Sequence, residues 1–157
     1  MNRKHDPNSR ASRSRRGQSL VEFALVIPLF MLIFCGICDL GFGLFSRMSV
    51  INAARDGARS AVMVQDHSTI PGVAAAAAKS AAAGGLIDPS KVTVNATCLL
   101  TNPTTGSVSS PATINCALAV VGDSVLVVVH YPYKAIFPLL LGASLDLSSS
   151  VQMVIDT

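Results

Sequence analysis

Few side chains in this sequence are equipped for chemistry, and the carboxylates among them stand in unusual places. The only glutamate, Glu22, lies at the entrance of a long apolar run, within Arg15-Arg16-Gly17-Gln18-Ser19-Leu20-Val21-Glu22-Phe23. A carboxylate at the edge of such a run is costly and needs compensation. Two readings fit it: neutralising a positive charge when apolar helices bundle, or snorkelling to an interface as part of an ordinary anchor. Asp39 interrupts the same run toward its far end. It is either a pairing site for a neighbouring subunit or assembly protein, or an interfacial residue sharing its charge with Arg47. Gly36, Gly41 and Gly43 beside it would let another helix approach closely.

The four cysteines form two pairs. Cys35 and Cys38 make a C-x-x-C, a redox or metal signature in a soluble protein. Inside an apolar helix a thiolate is disfavoured, so they read as small packing residues. Cys98 and Cys116 fall on inward faces of expected strands, where a disulfide would close a loop and contribute on the order of 3 kcal/mol; two free buried thiols are the alternative. His5, His67 and His130 are scattered, and there is no P-loop, G-x-S-x-G or H-E-x-x-H. No catalytic residue, metal site or cofactor is expected, and a membrane-tethered enzyme is a distant alternative.

Charge is distributed unevenly. Of 12 basic and 9 acidic residues, residues 1–17 hold six basic and one acidic, a net +5. The remainder holds six basic and eight acidic residues, a net −2. A nucleic-acid surface needs basic residues spread over a folded face, often with aromatics. Here the excess is confined to a tail, so nucleic-acid binding is not expected. The tail, rich in Arg, Ser and Asn, reads as disordered. Its charge places the N-terminus in the cytoplasm and the C-terminal part outside.

These residues need elements to position them. Residues 23–45 would span roughly 33 Å as a helix, enough to cross a bilayer core, with Pro28 inside the span. Beyond Phe45 the pattern turns amphipathic: Ile51, Ala54, Ala58, Ala61 and Val62 share one side, and Arg55, Asp56 and Arg59 fall mainly elsewhere. One helix is therefore expected from about Leu20 to about Val64. Pro71 and Gly84-Gly85 bracket a second, Ala-rich helix.

Four strands follow, over residues 91–98, 113–121, 124–131 and a last run from Leu145, with a Ser/Thr/Pro/Gly-rich loop at 101–111 and a turn at Gly122-Asp123. The third is apolar on both faces, as a central strand would be. In the last, Leu145, Leu147, Val151, Met153 and Ile155 alternate inward. Residues 131–141 read as an apolar loop plugged into the core or as an exposed patch for a partner or bilayer. The fold class is α+β: a long N-terminal transmembrane helix continuing into an outer domain, where the Ala-rich helix packs on a four-stranded, mainly antiparallel sheet. The expected division is a leader at 1–17, the long helix at 18–65 and an extracytoplasmic domain at 66–157.

The run from Gln18 to Pro28, then Gly36-Ile37-Cys38-Asp39-Leu40-Gly41 and Asn52-Ala53-Ala54-Arg55-Asp56-Gly57-Ala58-Arg59, resembles the TadE-like family of pseudopilins of the tight-adherence, or Flp, pilus apparatus. Gly122-Asp123-Ser124-Val125, Tyr131-Pro132-Tyr133 and the Ser-rich last strand fit it more loosely. The resemblance implies a pilin-like arrangement, insertion in the bacterial inner membrane and a role in pilus assembly, adherence or biofilm formation. It implies a prepilin peptidase as transient partner, cutting between Gly17 and Gln18 so that Glu22 becomes the fifth residue of the mature chain. Other pilin-like subunits and inner-membrane pilus assembly proteins are the further partners implied. The small residue precedes the apolar run, unlike a secretory signal peptide, where it follows. An uncleaved single-pass envelope protein whose outer domain binds another partner is the alternative.

Overall fold

A single helix, α1 (Asn8–Val62), makes up 55 residues of the chain and is roughly 80 Å long. The computed structural model describes residues 8–84, 87–101, 113–137 and 144–156, with side chains described from residue 17 onward. Gly85, most of the expected loop at 101–111, and residues 138–141 of the apolar segment lie outside these. The helix begins well before the expected start at Leu20, running through Gly17 and the Arg-rich segment that reads as disordered. The apolar run supplies the helical nucleus, so each added N-terminal residue costs only propagation.

From Asp39 onward α1 acquires a buried side. Ser46, Ser49, Val50, Ala53, Ala54, Gly57, Ala58 and Ala61 recur at helical spacing and are buried, whereas Arg55, Asp56 and Arg59 are exposed. The two serines stay satisfied within the helix, Ser46 Oγ donating to the Phe42 carbonyl at 2.9 Å and Ser49 Oγ to that of Phe45 at 3.2 Å. Against this side lies α2 (Ile70–Ala83), which starts with Pro71 in its first turn and buries Ile70, Ala74, Ala78 and Ala82, one residue per turn. Two rows of small side chains allow a close approach. At Gly57 an added Cβ would stand 3.0 Å from the Ala74 carbonyl oxygen, 3.1 Å from the Ala78 Cβ and 3.4 Å from Val127.

The sheet holds β1 (Thr93–Leu99), β2 (Thr113–Ile114), β3 (Ser124–Tyr133) and β4 (Leu145–Val154) in the order β2-β1-β3-β4. Every pairing is antiparallel. The central strand is β3: its Val125, Val127, Val129, Tyr131 and Tyr133 are buried toward the helices. On the same face Val94, Ala96 and Cys98 of β1 pair with Val129, Val127 and Val125. Gly122, with φ of 97°, makes the turn into β3, and Asp123 Oδ2 accepts from the Val120 N–H at 3.0 Å.

Two expectations about strands need correction. The second strand is only two residues long; in place of its continuation Cys116–Leu118 forms a 3-10 turn, capped by Asn115 Oδ1 accepting from the Ala117 N–H at 3.1 Å. A local side-chain acceptor here outcompetes the ladder. In β4 Leu147 is buried, as is Ile155 just past its end, but Leu145 is 53% exposed because it lines the mouth of a cavity beside α1.

The 3-10 turn carries Cys116 into a disulfide with Cys98, their Cα atoms 5.2 Å apart and 18 positions apart in sequence. On the chain-entropy model a loop of this length stabilises by on the order of 3 kcal/mol. A Cys98→Ser, Cys116→Ser double variant is expected to lose about that much in chemical denaturation; an unchanged midpoint, with no mobility difference on non-reducing gels, would count against the bridge. Gly57→Val is expected to destabilise by about 1–3 kcal/mol through overpacking against α2. Gly57→Ala should cost less, since its gain in helix propensity of about 1 kcal/mol opposes the clash; the same denaturation series reads both.

Candidate functional site

The N-terminal part of α1 stands free of the rest of the molecule. From Leu20 to Phe34 its large apolar side chains are 39–76% exposed. The helix segment Gly17–Val62 contains an 18-residue window of mean hydropathy 2.6 with no part of that window buried. It is long and apolar enough to cross a membrane. Gly17 has no neighbouring atoms where a Cβ would stand. Gln18 and Glu22 are both exposed, and Gln18 Nε2 donates to Glu22 Oε1 across one turn at a long 3.4 Å.

Asp39 has a different setting. It is wholly buried, and its carboxylate is met by three donors from the far end of the chain. The Tyr133 hydroxyl donates to Oδ1 at 2.9 Å, the Ile136 N–H to Oδ1 at 3.0 Å, and the Phe137 N–H to Oδ2 at 3.1 Å. The hydroxyl also lies 3.2 Å from the Asp39 carbonyl oxygen. Hydrogen bonds to a charged acceptor are the strong kind, and they are what makes a buried carboxylate tolerable without a cation. So the structure gives Asp39 partners within its own chain. Arg47, the cation weighed for it from the sequence, is exposed, and among the described residues it makes no ion pair with Asp39.

The neighbouring glycines divide. Gly43 faces the Tyr133 ring, 3.7 Å from where a Cβ would be, whereas Gly41 is open and Gly36 half-buried. Cys35 and Cys38 are half-buried free thiols. Among the described residues no three His, Cys, Asp or Glu side chains converge as metal ligands would.

Sequence reasoning missed Tyr133. The available signal was that a carboxylate deep in an apolar helix must find donors, and that the two tyrosines stand at and just past the end of the expected third strand.

Burial, then the hydrogen bond to Asp39 and its negative charge, push the Tyr133 phenol up to about 12. An unfolded tyrosine titrates near 10. The folded state therefore holds its proton where the unfolded chain has lost it, so this contribution is complete below about pH 10 and fades as the pH rises toward 12. In a Tyr131→Phe chain, tyrosinate absorbance is expected to appear with a midpoint close to 12, and adding Asp39→Asn should lower it. A midpoint near 10 in the folded Tyr131→Phe chain would contradict the contact.

Compared with protein families, residues 17–59 match the model described as TadE-like protein, a little over a quarter of the chain. The match takes in the exposed apolar helix, Asp39 and most of the small-residue side of α1; the sheet and the Tyr131-Pro132-Tyr133 segment lie beyond it. No curated protein and no solved structure matches the chain.

Proposed function

We propose that this chain, TadE-like over residues 17–59, is a pilin-like minor subunit, a pseudopilin, acting structurally in assembly of a Tad/Flp-type pilus. On this reading residues 1–17 are a basic leader on the cytoplasmic side, α1 crosses the bacterial inner membrane, and residues 66–157 lie outside it. The partners are a prepilin peptidase, transiently, and then other pilin-like subunits and inner-membrane pilus assembly proteins. The observation that carries the reading is the family match itself, which opens at Gly17 and takes in the uncovered apolar stretch of α1.

The residues suit the chemistry. Hydrolysis between Gly17 and Gln18 would leave an α-amino group on Gln18, one helical turn from Glu22. When helices bundle in an apolar medium, that new positive charge needs an anion, and Glu22 of a neighbouring copy supplies it. A peptidase must first open the backbone at the bond, and α1 is helical there. Glycine is less favourable than alanine in a helix by about 1 kcal/mol, so Gly17 eases unwinding at that point. The continuous helix through Gly17 also suits a second reading, an uncleaved single-pass envelope protein. Both are structural roles; the donors around Asp39 are fully used in holding the chain together.

Intact-mass measurement on membrane-extracted protein separates them. With an active prepilin peptidase present, the mature chain is expected to begin at Gln18, and Gly17→Leu to retain the leader. A wild-type chain that keeps Arg16-Gly17 under those conditions would sink the processing step. Glu22→Gln is expected to be cut normally yet to lose co-purification with its fellow subunits.

A further inference from the structure

Three and four residues beyond the end of β3, Ile136 and Phe137 are large, apolar and 58% and 41% exposed. Their height along α1 is fixed, because their backbone N–H groups are the ones that bind the Asp39 carboxylate. Asp39 is about 24 Å along the helix from Phe23, with no charged residue between. A bilayer's hydrocarbon core is about 30 Å thick. Enclosed by its donors, Asp39 makes no demand for water. The next charge along α1 is Arg47, exposed and about 12 Å farther on. Between them Leu40, Phe42, Leu44 and Phe45 are 44–56% exposed.

The outer edge of the hydrocarbon therefore falls between Asp39 and Arg47, and Ile136 and Phe137 lie at or below it. Lys134, on the same short segment, is exposed like Arg47. Asp146, which lines the cavity beside Arg47, is turned toward His130, with Oδ2 3.6 Å from Nδ1.

The geometry points to a second membrane contact, separate from the span: residues 134–137 are seated in the outer leaflet. Ile136 and Phe137 occupy the upper acyl region, and Lys134 with Arg47 faces the lipid phosphates. Snorkelling cations above apolar side chains are the usual form of such a contact. The inference rests on the reading that α1 spans the membrane.

The chain has no Trp, so single reporters are clean. Phe137→Trp, and separately Phe30→Trp within the span, are reconstituted as full chains in phosphatidylcholine–phosphatidylglycerol vesicles containing acyl-brominated lipids. Phe137→Trp is expected to emit as from an apolar site and to be quenched most by bromines near the headgroup end. Phe30→Trp should be quenched most by deep bromines. Ile136→Trp is a second reporter for the same segment, and adding Asp39→Ala to Phe137→Trp should reduce quenching by releasing the segment. Water-like, unquenched emission from both segment reporters while Phe30→Trp is quenched overturns the outer-leaflet contact and leaves the span standing. No quenching at any of the three sites overturns both. Emission that turns apolar only at high protein density, without bromine quenching, assigns the patch to a second copy and overturns the proposal.

Discussion

A carboxylate enclosed in an apolar helix is the constraint around which this structure is arranged. Among the described residues Asp39 makes no ion pair, so its charge must be met by hydrogen-bond donors, and three come from residues 94 to 98 positions away. That demand sets where the sheet meets the helix. The central strand must run ten residues, to Tyr133, to bring a hydroxyl to the site, and it is braced on the way by β1 as far as His130 and by β4 throughout. The chain leaving β3 then turns so that two successive N–H groups converge on one side chain. Removing one partner from such a cluster would leave buried groups unpaired, each costing about 1–3 kcal/mol.

Farther along α1 the rule is different. There the contact is made by Ala and Gly against the Ala row of α2, and its quality depends on how near two backbones come. The polar contact at Asp39 fixes register along the helix; the small-residue contact fixes distance. They need each other, since small side chains make a surface on which another helix slides with little energetic preference. The disulfide secures the opposite end of the sheet, where β2 is too short to hold itself by ladder bonds.

Features that each residue expresses locally were legible in the sequence. The apolar run, the Ala-rich helix and the period-two strands all follow from side chains reporting their own surroundings, and β3, apolar on both faces, proved central. Features made by pairs of distant residues were not. Nothing local to Asp39 names Tyr133, and nothing in residues 113–121 announces that Asn115 will cap a turn and stop the strand. Leu145 keeps its strand's alternation and is exposed anyway, because it faces a cavity between the sheet and α1 that no side chain fills. The roles proposed for Gly17 and Glu22 belong to a third class, since they concern other molecules.

Because α1 is unbroken from below Gly17 to Val62, and the sheet and α2 grip it from Asp39 upward, the described residues give the folded unit no swivel on the N-terminal part of α1. Pro28, the proline within α1, lies below that grip, so a bend there would act on a rigid body above it. Torque applied between Pro28 and Asp39 is then delivered to the sheet. A chain built this way carries rotation and tilt of the N-terminal part of α1 to its sheet as a lever does; on the proposed reading, the direction in which that sheet faces is set from within the bilayer.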